Sequence, residues 1–411
     1  MSATLGQKAH IPISLLTGFL GSGKTTILNH IVRDPALAKT LVIINEFGAI
    51  GIDHDLLATS DEDVVVEMSS GCLCCTIRGD LVRTLRDAPW RFARGGVRWF
   101  DRVVIETTGL ADPAPILHTL MTDERLVTQY RIDGVITAVD AVNGMATLDS
   151  QEEARKQAAV ADRLLLTKTD LASPEETTRI EVRLRALNPG APVIRTVQGV
   201  VEPQRLFDAG LYNPQTKSMD VQRWLNAEAY ERPDDHHHHH GHDDHHHDHD
   251  HHHDHDHSDH HHDHHGHDHH HDINRHDADI HAICLTFDEP LEAEAFDLWL
   301  HTLMLFNGSK VLRIKGIVNI KGLDKPMVLH GVQKIFHPPV MLDAWPSDDR
   351  RTRMVFITRG LDETSLRDTL AVMTQSVKDY DLIGPQGSSL NGHSPLPHPG
   401  EADFDLAAQS A

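Results

Sequence analysis

Three cysteines stand within four residues, Cys72, Cys74 and Cys75, directly after the apolar run Val64 to Met68. Three sulfurs at that spacing supply most of a tetrahedral thiolate site for zinc, with Zn–S bonds of about 2.3 Å. A redox switch and plain buried thiols are the competing readings. A bridge between adjacent Cys74 and Cys75 would be strained, so a structural disulfide is disfavoured. The fourth ligand would come from elsewhere: Glu46, another protein or water. Four cysteines in 411 residues are too few and too clustered for a secreted disulfide framework.

A second group of residues handles phosphate. Gly18-Phe19-Leu20-Gly21-Ser22-Gly23-Lys24-Thr25 fits G-x-x-x-x-G-K-[ST], after the strand-like ISLL and before the helix-like TTILNHIV. Gly18, Gly21, Ser22 and Gly23 let backbone N–H groups turn toward phosphate, and the helix start at Lys24, Thr25 and Thr26 adds positive potential. Lys24 is expected on the β and γ phosphates, and Thr25 on Mg²⁺. Val103-Val104-Ile105-Glu106 is an apolar strand ending in a carboxylate suited to Mg²⁺, directly or through water, and Gly109 lets the backbone pass close to the γ-phosphate. Leu164-Leu165-Leu166 leads into Thr167-Lys168-Thr169-Asp170, similar to the N-K-x-D motif that reads guanine. Asp170 would accept from the guanine ring N–H and amine, which adenine does not offer there, and Lys168 would cover the base with its stem. Thr167 stands where Asn is usual. A small-molecule kinase could share the phosphate loop, but the cysteine cluster and TKTD disfavour it.

Residues 234 to 272 hold about two dozen of the 35 histidines, interleaved mostly with Asp. Imidazole binds Zn, Ni, Cu and Co, and the carboxylates favour a divalent cation, so weak multisite metal buffering is expected. With no apolar residue to bury, this stretch cannot offset its chain entropy and reads as disordered.

GFLGSGKTT, NEFG at 45 to 48, GCLCC, ETTGLADPAP at 106 to 115 and TKTD together resemble the CobW-type family of P-loop metallochaperone GTPases. RIKG at 313 to 316, HGVQ at 330 to 333 and the strand before Arg359-Gly360 resemble that family's C-terminal domain. The resemblance implies GTP hydrolysis coupled to metal insertion, with Cys72, Cys74 and Cys75 carrying Zn²⁺, or Co²⁺ as the alternative cargo. It also implies that Asn45 to Asp53 respond to the γ-phosphate, and that Glu46 touches the nucleotide site or the metal. The expected partner is a client metalloprotein, and self-association into a homo-oligomer is compatible with the sequence. Cobalt delivery for cobalamin synthesis, nitrile hydratase activation, nickel insertion, and metal storage with incidental GTPase activity are the rival functions.

Elements must carry these groups. Ile11 to Leu16, Leu41 to Ile44, Val64 to Met68, Arg102 to Ile105, Gly134 to Val139, Arg163 to Leu166 and Val193 to Ile194 alternate with helix-length segments. That pattern predicts an α/β P-loop domain with a mainly parallel sheet and helices on both faces. Later come AICLTF, a helical pattern from Leu291 to Leu305, the strands VLRIKGIVNI, MVLHGVQKIF and RTRMVFITRG, and a helix from Glu363 to Val377 capped by Asp362. They predict a smaller α+β domain, a sheet covered by two helices. The expected organisation is a GTPase domain over 1–227, a His/Asp linker over 228–277, the α+β domain over 278–383 and a frayed tail over 384–411. A net charge of −23 argues against nucleic acid. The lack of an apolar run of 18 residues, and of a targeting pattern in the first ten, predicts a cytoplasmic protein off the membrane.

Overall fold

The computed structural model describes residues 10–46, 65–69, 75–207, 225, 280–336 and 339–383. The expected His/Asp linker and the tail from residue 384 lie outside them.

Seven short apolar runs become strands. They are β1 (Ile11–Gly18), β2 (Thr40–Glu46), β3 (Val65–Ser69), β4 (Arg102–Glu106), β5 (Tyr130–Asp140), β6 (Arg163–Thr167) and β7 (Val193–Arg195). Of these, β1, β4, β5 and β6 are buried along almost their whole length. The seven form one sheet in the order β3-β2-β4-β1-β5-β6-β7, every pair parallel. Helices α1 (Lys24–Arg33), α2 (Cys75–Arg91), α3 (Ala114–Thr122), α4 (Gly144–Ser150), α5 (Glu152–Ala159) and α6 (Pro174–Leu187) make the crossovers. Earlier strands lie on one side of β1 and later ones on the other. The crevice at the C-terminal ends of β4, β1 and β5 is therefore where such a sheet receives ligand.

One strand begins earlier than its apolar run. β5 starts at Tyr130 rather than Gly134, because Asp133 interrupts the pattern yet is buried. Its carboxylate accepts from Ser14 Oγ (2.9 Å), Arg102 (2.7 Å) and Arg131 (3.3 Å), which makes the buried charge tolerable.

The second sheet is antiparallel. β8 (Ile280–Phe287), β9 (Val311–Val318), β10 (Met327–Val332), β11 (Ile335–Phe336) and β13 (Thr352–Arg359) run in the order β8-β13-β9-β10-β11, with β12 (Val340–Met341) also on β10. The run MVLHGVQKIF is not one strand: it folds back at Gln333 and Lys334 into the β10–β11 hairpin. Helices α7 (Ala293–Asn307) and α8 (Glu363–Ile383) cover one face through Phe296, Trp299, Leu300, Leu303, Leu366 and Leu370. Asp362 caps α8 by accepting from Ser365 N (2.7 Å).

The other face meets the first sheet's domain. Alternation turns Ile317 of β9, Val328 and Val332 of β10, and Val355 and Ile357 of β13 to that side, where they join Leu117, Leu120 and Val160 in one apolar cluster. Each such side chain, fully buried, contributes about 1.5–3 kcal/mol. Arg313, Lys315 and His330 share the face: Arg313 stands opposite Val332, and Lys315 opposite His330.

Candidate functional site

The loop that leaves β1 turns on three positive-φ glycines, Gly18, Gly21 and Gly23. Gly18 has φ +141°, and a Cβ there would collide with the Ala138 carbonyl and Ser22 Oγ; Gly23, at φ +91°, caps α1. Lys24 is buried, and its amine spans the loop, donating to the carbonyls of Gly18 (2.9 Å) and Phe19 (3.2 Å). Thr25 and Thr26 follow on the first turn of α1. Gly21, exposed at φ +73°, and buried Ser22 complete the loop. This geometry aims a helix N-terminus and a cation at a single anion site.

Glu106 ends β4 beside β1, paired in register with Leu16, and is buried. A carboxylate at Glu106 and a hydroxyl at Thr25 form an all-oxygen donor set, the type a hard cation such as Mg²⁺ takes. Gly109 lies so close to the loop that a Cβ would come within 2.7 Å of Leu20 N. Thr107 Oγ1 donates to Thr17 Oγ1 (2.8 Å), joining β4's exit to β1.

Thr167 ends β6, and its hydroxyl donates to the Ser22 carbonyl (2.7 Å), with the Val139 carbonyl 3.2 Å away. The hydroxyl thus ties the TKTD loop to the phosphate loop. Lys168 holds φ +56°, and its amine lies 2.8 Å from Asp140, while Asp170 is exposed at the rim. Burial alone would raise the Asp140 carboxyl. Hydrogen bonds from Lys168, Asn143 and the backbone N–H groups of Val142 and Asn143 outweigh it and hold the pKa below the usual carboxylate value.

Three parts of the site escaped sequence reasoning. Asp140 anchors Lys168. Gln157 of α5 is buried and donates to the carbonyls of Gly109 (3.2 Å) and Ala111 (3.0 Å), bracing the segment after Glu106. The turn at Gln198 and Gly199 packs on α1, where a Cβ on Gly199 would strike the Thr26 carbonyl. Only the Gln-Gly dipeptide gave a sequence signal, as a turn. Under the phosphate loop, Phe19 to Ser22, Asp140, Asn143 and Gln157 line a cavity of about 220 Å³.

The metal-ligand candidates fall mostly elsewhere. Cys72 and Cys74, and Phe47 to Asp53 of the switch-like segment, lie outside the described residues; Cys75 is the first residue of α2. Glu46 closes β2 and pairs with Ser69, the last residue of β3. The chain therefore enters the cysteine segment beside Glu46, on the same sheet edge as the phosphate loop. With strands about 4.8 Å apart, three strand steps separate the end of β3 at Ser69 from the end of β1 at Gly18, roughly 14 Å.

The C-terminal sheet grips the base of the same strands. Asp162, on the turn into β6, accepts from Val135 N of β5 (2.9 Å) and pairs with Lys315 (2.9 Å) and Arg313, which also donates to the Val160 carbonyl. The three side chains are 0%, 8% and 3% exposed in that order. Burial opposes the Asp162 charge, but Arg313, Lys315 and His330 overcome it and hold the carboxyl far below its ordinary value. Burial lowers Lys315 to about 8, Asp162 counteracting and Arg313 reinforcing the shift, because one carboxylate serves two cations.

A phosphate loop on β1, a carboxylate ending the neighbouring strand and a TKTD loop held against both define a P-loop GTPase. The sequence matches the CobW/HypB/UreG nucleotide-binding domain over residues 12–195 and the cobalamin synthesis protein CobW C-terminal domain over 280–374, and the chain belongs to this family. It is 30% identical over 361 residues to the zinc chaperone YjiA of Escherichia coli, covering 88% of this chain and 98% of that one. It is 33% identical over 218 residues to the zinc-regulated GTPase metalloprotein activator 1 of Schizosaccharomyces pombe, about half of each chain (51% and 51%). The crystal structure of Zn(II)-bound YjiA GTPase from Escherichia coli superposes with a TM-score of 0.59 at 27% identity, over 89% of this chain and 99% of that one. Among the described residues no helix is long and apolar enough to cross a membrane.

Proposed function

We propose that this GTPase carries zinc on Cys72, Cys74 and Cys75 and passes it to a client metalloprotein, with GTP hydrolysis timing the transfer. The observation that carries the reading is the register of β2 and β3. It brings the entry to the cysteine segment beside Glu46, at the sheet edge that also bears the phosphate loop and Glu106. A change at the γ-phosphate then has only a few strand ends to cross. The zinc-bound relative and the relatives named as zinc chaperones support zinc as the cargo.

In this mechanism Lys24 and the α1 N-terminus stabilise the charge on the transferring phosphoryl group. Thr25 and Glu106 would hold Mg²⁺, which would supply positive charge against the phosphate oxygens. Asp170 accepts from guanine while Asp140 fixes Lys168 along the base. Water attacks the γ-phosphorus and GDP leaves, giving inorganic phosphate. The segments after β2 and β3 would then lose the nucleotide contacts that order them, which biases zinc release from the thiolates. The His/Asp tract at 234–272 buffers several ions weakly, because imidazole and carboxylate are the only ligands it offers.

The test loads the protein with one equivalent of zinc and follows transfer to a zinc-free client or a chromogenic chelator, with and without GTP and Mg²⁺. Deleting 234–272 should remove most metal capacity yet leave one tight site and GTP-dependent transfer. Changing Cys72, Cys74 and Cys75 to Ser should abolish that transfer. Transfer that persists without the thiols, or runs equally fast without GTP, would leave a storage protein instead.

A further inference from the structure

Among the described residues, three that are not glycine hold a left-handed backbone: Lys168 (φ 56°), Gln198 (φ 51°) and Gln333 (φ 52°). Such conformations are costly for a residue with a side chain, and they persist where the surrounding structure over-determines them, often near functional sites. Lys168 lines the crevice beside the phosphate loop, and Gln198 lies in the turn whose Gly199 packs on α1. Gln333 lies in the other domain, in the two-residue turn between β10 and β11, a position that glycine or asparagine would fill at less cost. Its side chain reaches out of its own sheet, and Nε2 donates to Asp112 Oδ2 at 2.9 Å.

Asp112 belongs to the stretch 107–113 that leaves the Glu106 strand. That stretch is fastened at several points. Thr107 N donates to the Leu16 carbonyl (2.9 Å), Gly109 abuts the backbone of Leu20, and Gln157 holds the carbonyls of Gly109 and Ala111. The other Asp112 oxygen accepts from Ala114 N (2.9 Å) and starts α3. One end of the stretch thus touches the phosphate loop, and the other touches the C-terminal hairpin.

We infer that Gln333 is a positioning residue for GTP hydrolysis: by holding Asp112 it keeps residues 107–113 seated against the phosphate loop, so the C-terminal domain sets part of the rate. This rests on the GTPase activity of the family and not on zinc as the cargo. Hydrolysis depends on how accurately the groups around the γ-phosphate are held, whereas GTP affinity comes mainly from the loop, the helix start and the base site. Losing one anchor should therefore act on kcat and spare KM. A half-buried hydrogen bond to a carboxylate is on the scale of a three- to tenfold effect, roughly.

The experiment measures steady-state GTP hydrolysis and thermal unfolding on the full chain. Gln333→Gly removes the amide and gives the turn the residue its backbone favours, so the unfolding temperature should hold or rise while kcat falls about three- to tenfold. KM for GTP should stay within about twofold. Gln333→Glu sets two carboxylates against each other and should lower kcat at least as much. Pairing it with Asp112→Asn rebuilds a donor and an acceptor with reversed polarity, and should bring kcat back to within about twofold of the unaltered protein. Two results would overturn the inference: an unchanged kcat in Gln333→Gly, or a loss in Gln333→Glu that the paired change leaves unrepaired.

Discussion

The parallel sheet keeps its working polar groups at the ends of strands, whereas the antiparallel sheet carries them in the middle of strands, on the face it turns to its neighbour. Glu106, Asp140 and Thr167 close β4, β5 and β6. Arg313, Lys315 and His330 sit inside β9 and β10, walled by Ile317, Val328 and Val332. Parallel strands covered on both faces admit charge in their interiors only where it is matched, as at Asp133, so their chemistry gathers along the edge where they emerge into loops. A sheet with one face free can spend that face on a partner. Here the partner is the GTPase domain, and the buried polar centre of an otherwise apolar contact is a carboxylate shared by two cations.

Removing the shared carboxylate is the change that should damage the molecule most. Asp162→Ala leaves Arg313 and Lys315 buried without their anion and is expected to cost about 3–5 kcal/mol of stability in denaturant titrations. Replacing all three by apolar residues of similar size should cost far less, which would show that the pair specifies the docking more than it strengthens it. The same carboxylate gives a pH dependence. Its folded pKa lies below the unfolded value, so its contribution is fully present above that value, near about 4, and is lost as the pH falls through the folded pKa. The unfolding temperature of the unaltered protein should therefore drop in that acid range, and that of Asp162→Asn should drop less.

At the edge of the parallel sheet, the same kind of change should affect rate and not stability. Lys24→Ala is expected to lower kcat by about 10²- to 10³-fold with little change in unfolding temperature, and undiminished turnover at saturating GTP and Mg²⁺ would remove the phosphate loop from the account. A smaller effect is expected at the rim. Asp170→Asn should reduce the preference for guanine roughly 10- to 100-fold and move it toward xanthine nucleotides, as competition binding would show. The smallest belongs to the exposed bridge between Arg359 and Glu152, where Arg359→Ala should change stability by under about 1 kcal/mol. A larger loss there would mean that the docking face extends to its margin.

The edge was far more legible than the face. Seven apolar runs marked the strands of the parallel sheet, and GSGKT announced its own turn, because its glycines are demanded by backbone geometry that few other residues satisfy. β5 was read short, since nothing in Arg131-Ile132-Asp133 tells that Ser14 and Arg102, distant in the chain, neutralise the aspartate. Arg313 and Lys315 alternate with apolar neighbours just as a solvent-facing strand would, so only the tertiary fold distinguishes a docking face from a wet one. The hairpin at Gln333 was hidden for a similar reason: Val-Gln-Lys-Ile carries no turn residue, and its left-handed backbone is imposed by long-range contacts. Asp140 and Gln157 had no motif to belong to, though they hold Lys168 and the stretch after Glu106 in place.

The central claim is that the nucleotide at one part of the sheet edge is felt by zinc at another. It is tested most directly by titrating zinc into the protein lacking residues 234–272 against a competing chelator, once with GDP and Mg²⁺ and once with a non-hydrolysable GTP analogue and Mg²⁺. The account predicts one tight site whose affinity differs between the two states by about fivefold or more, and that disappears from both when Cys72, Cys74 and Cys75 become Ser. Equal affinities in the two nucleotide states would contradict it.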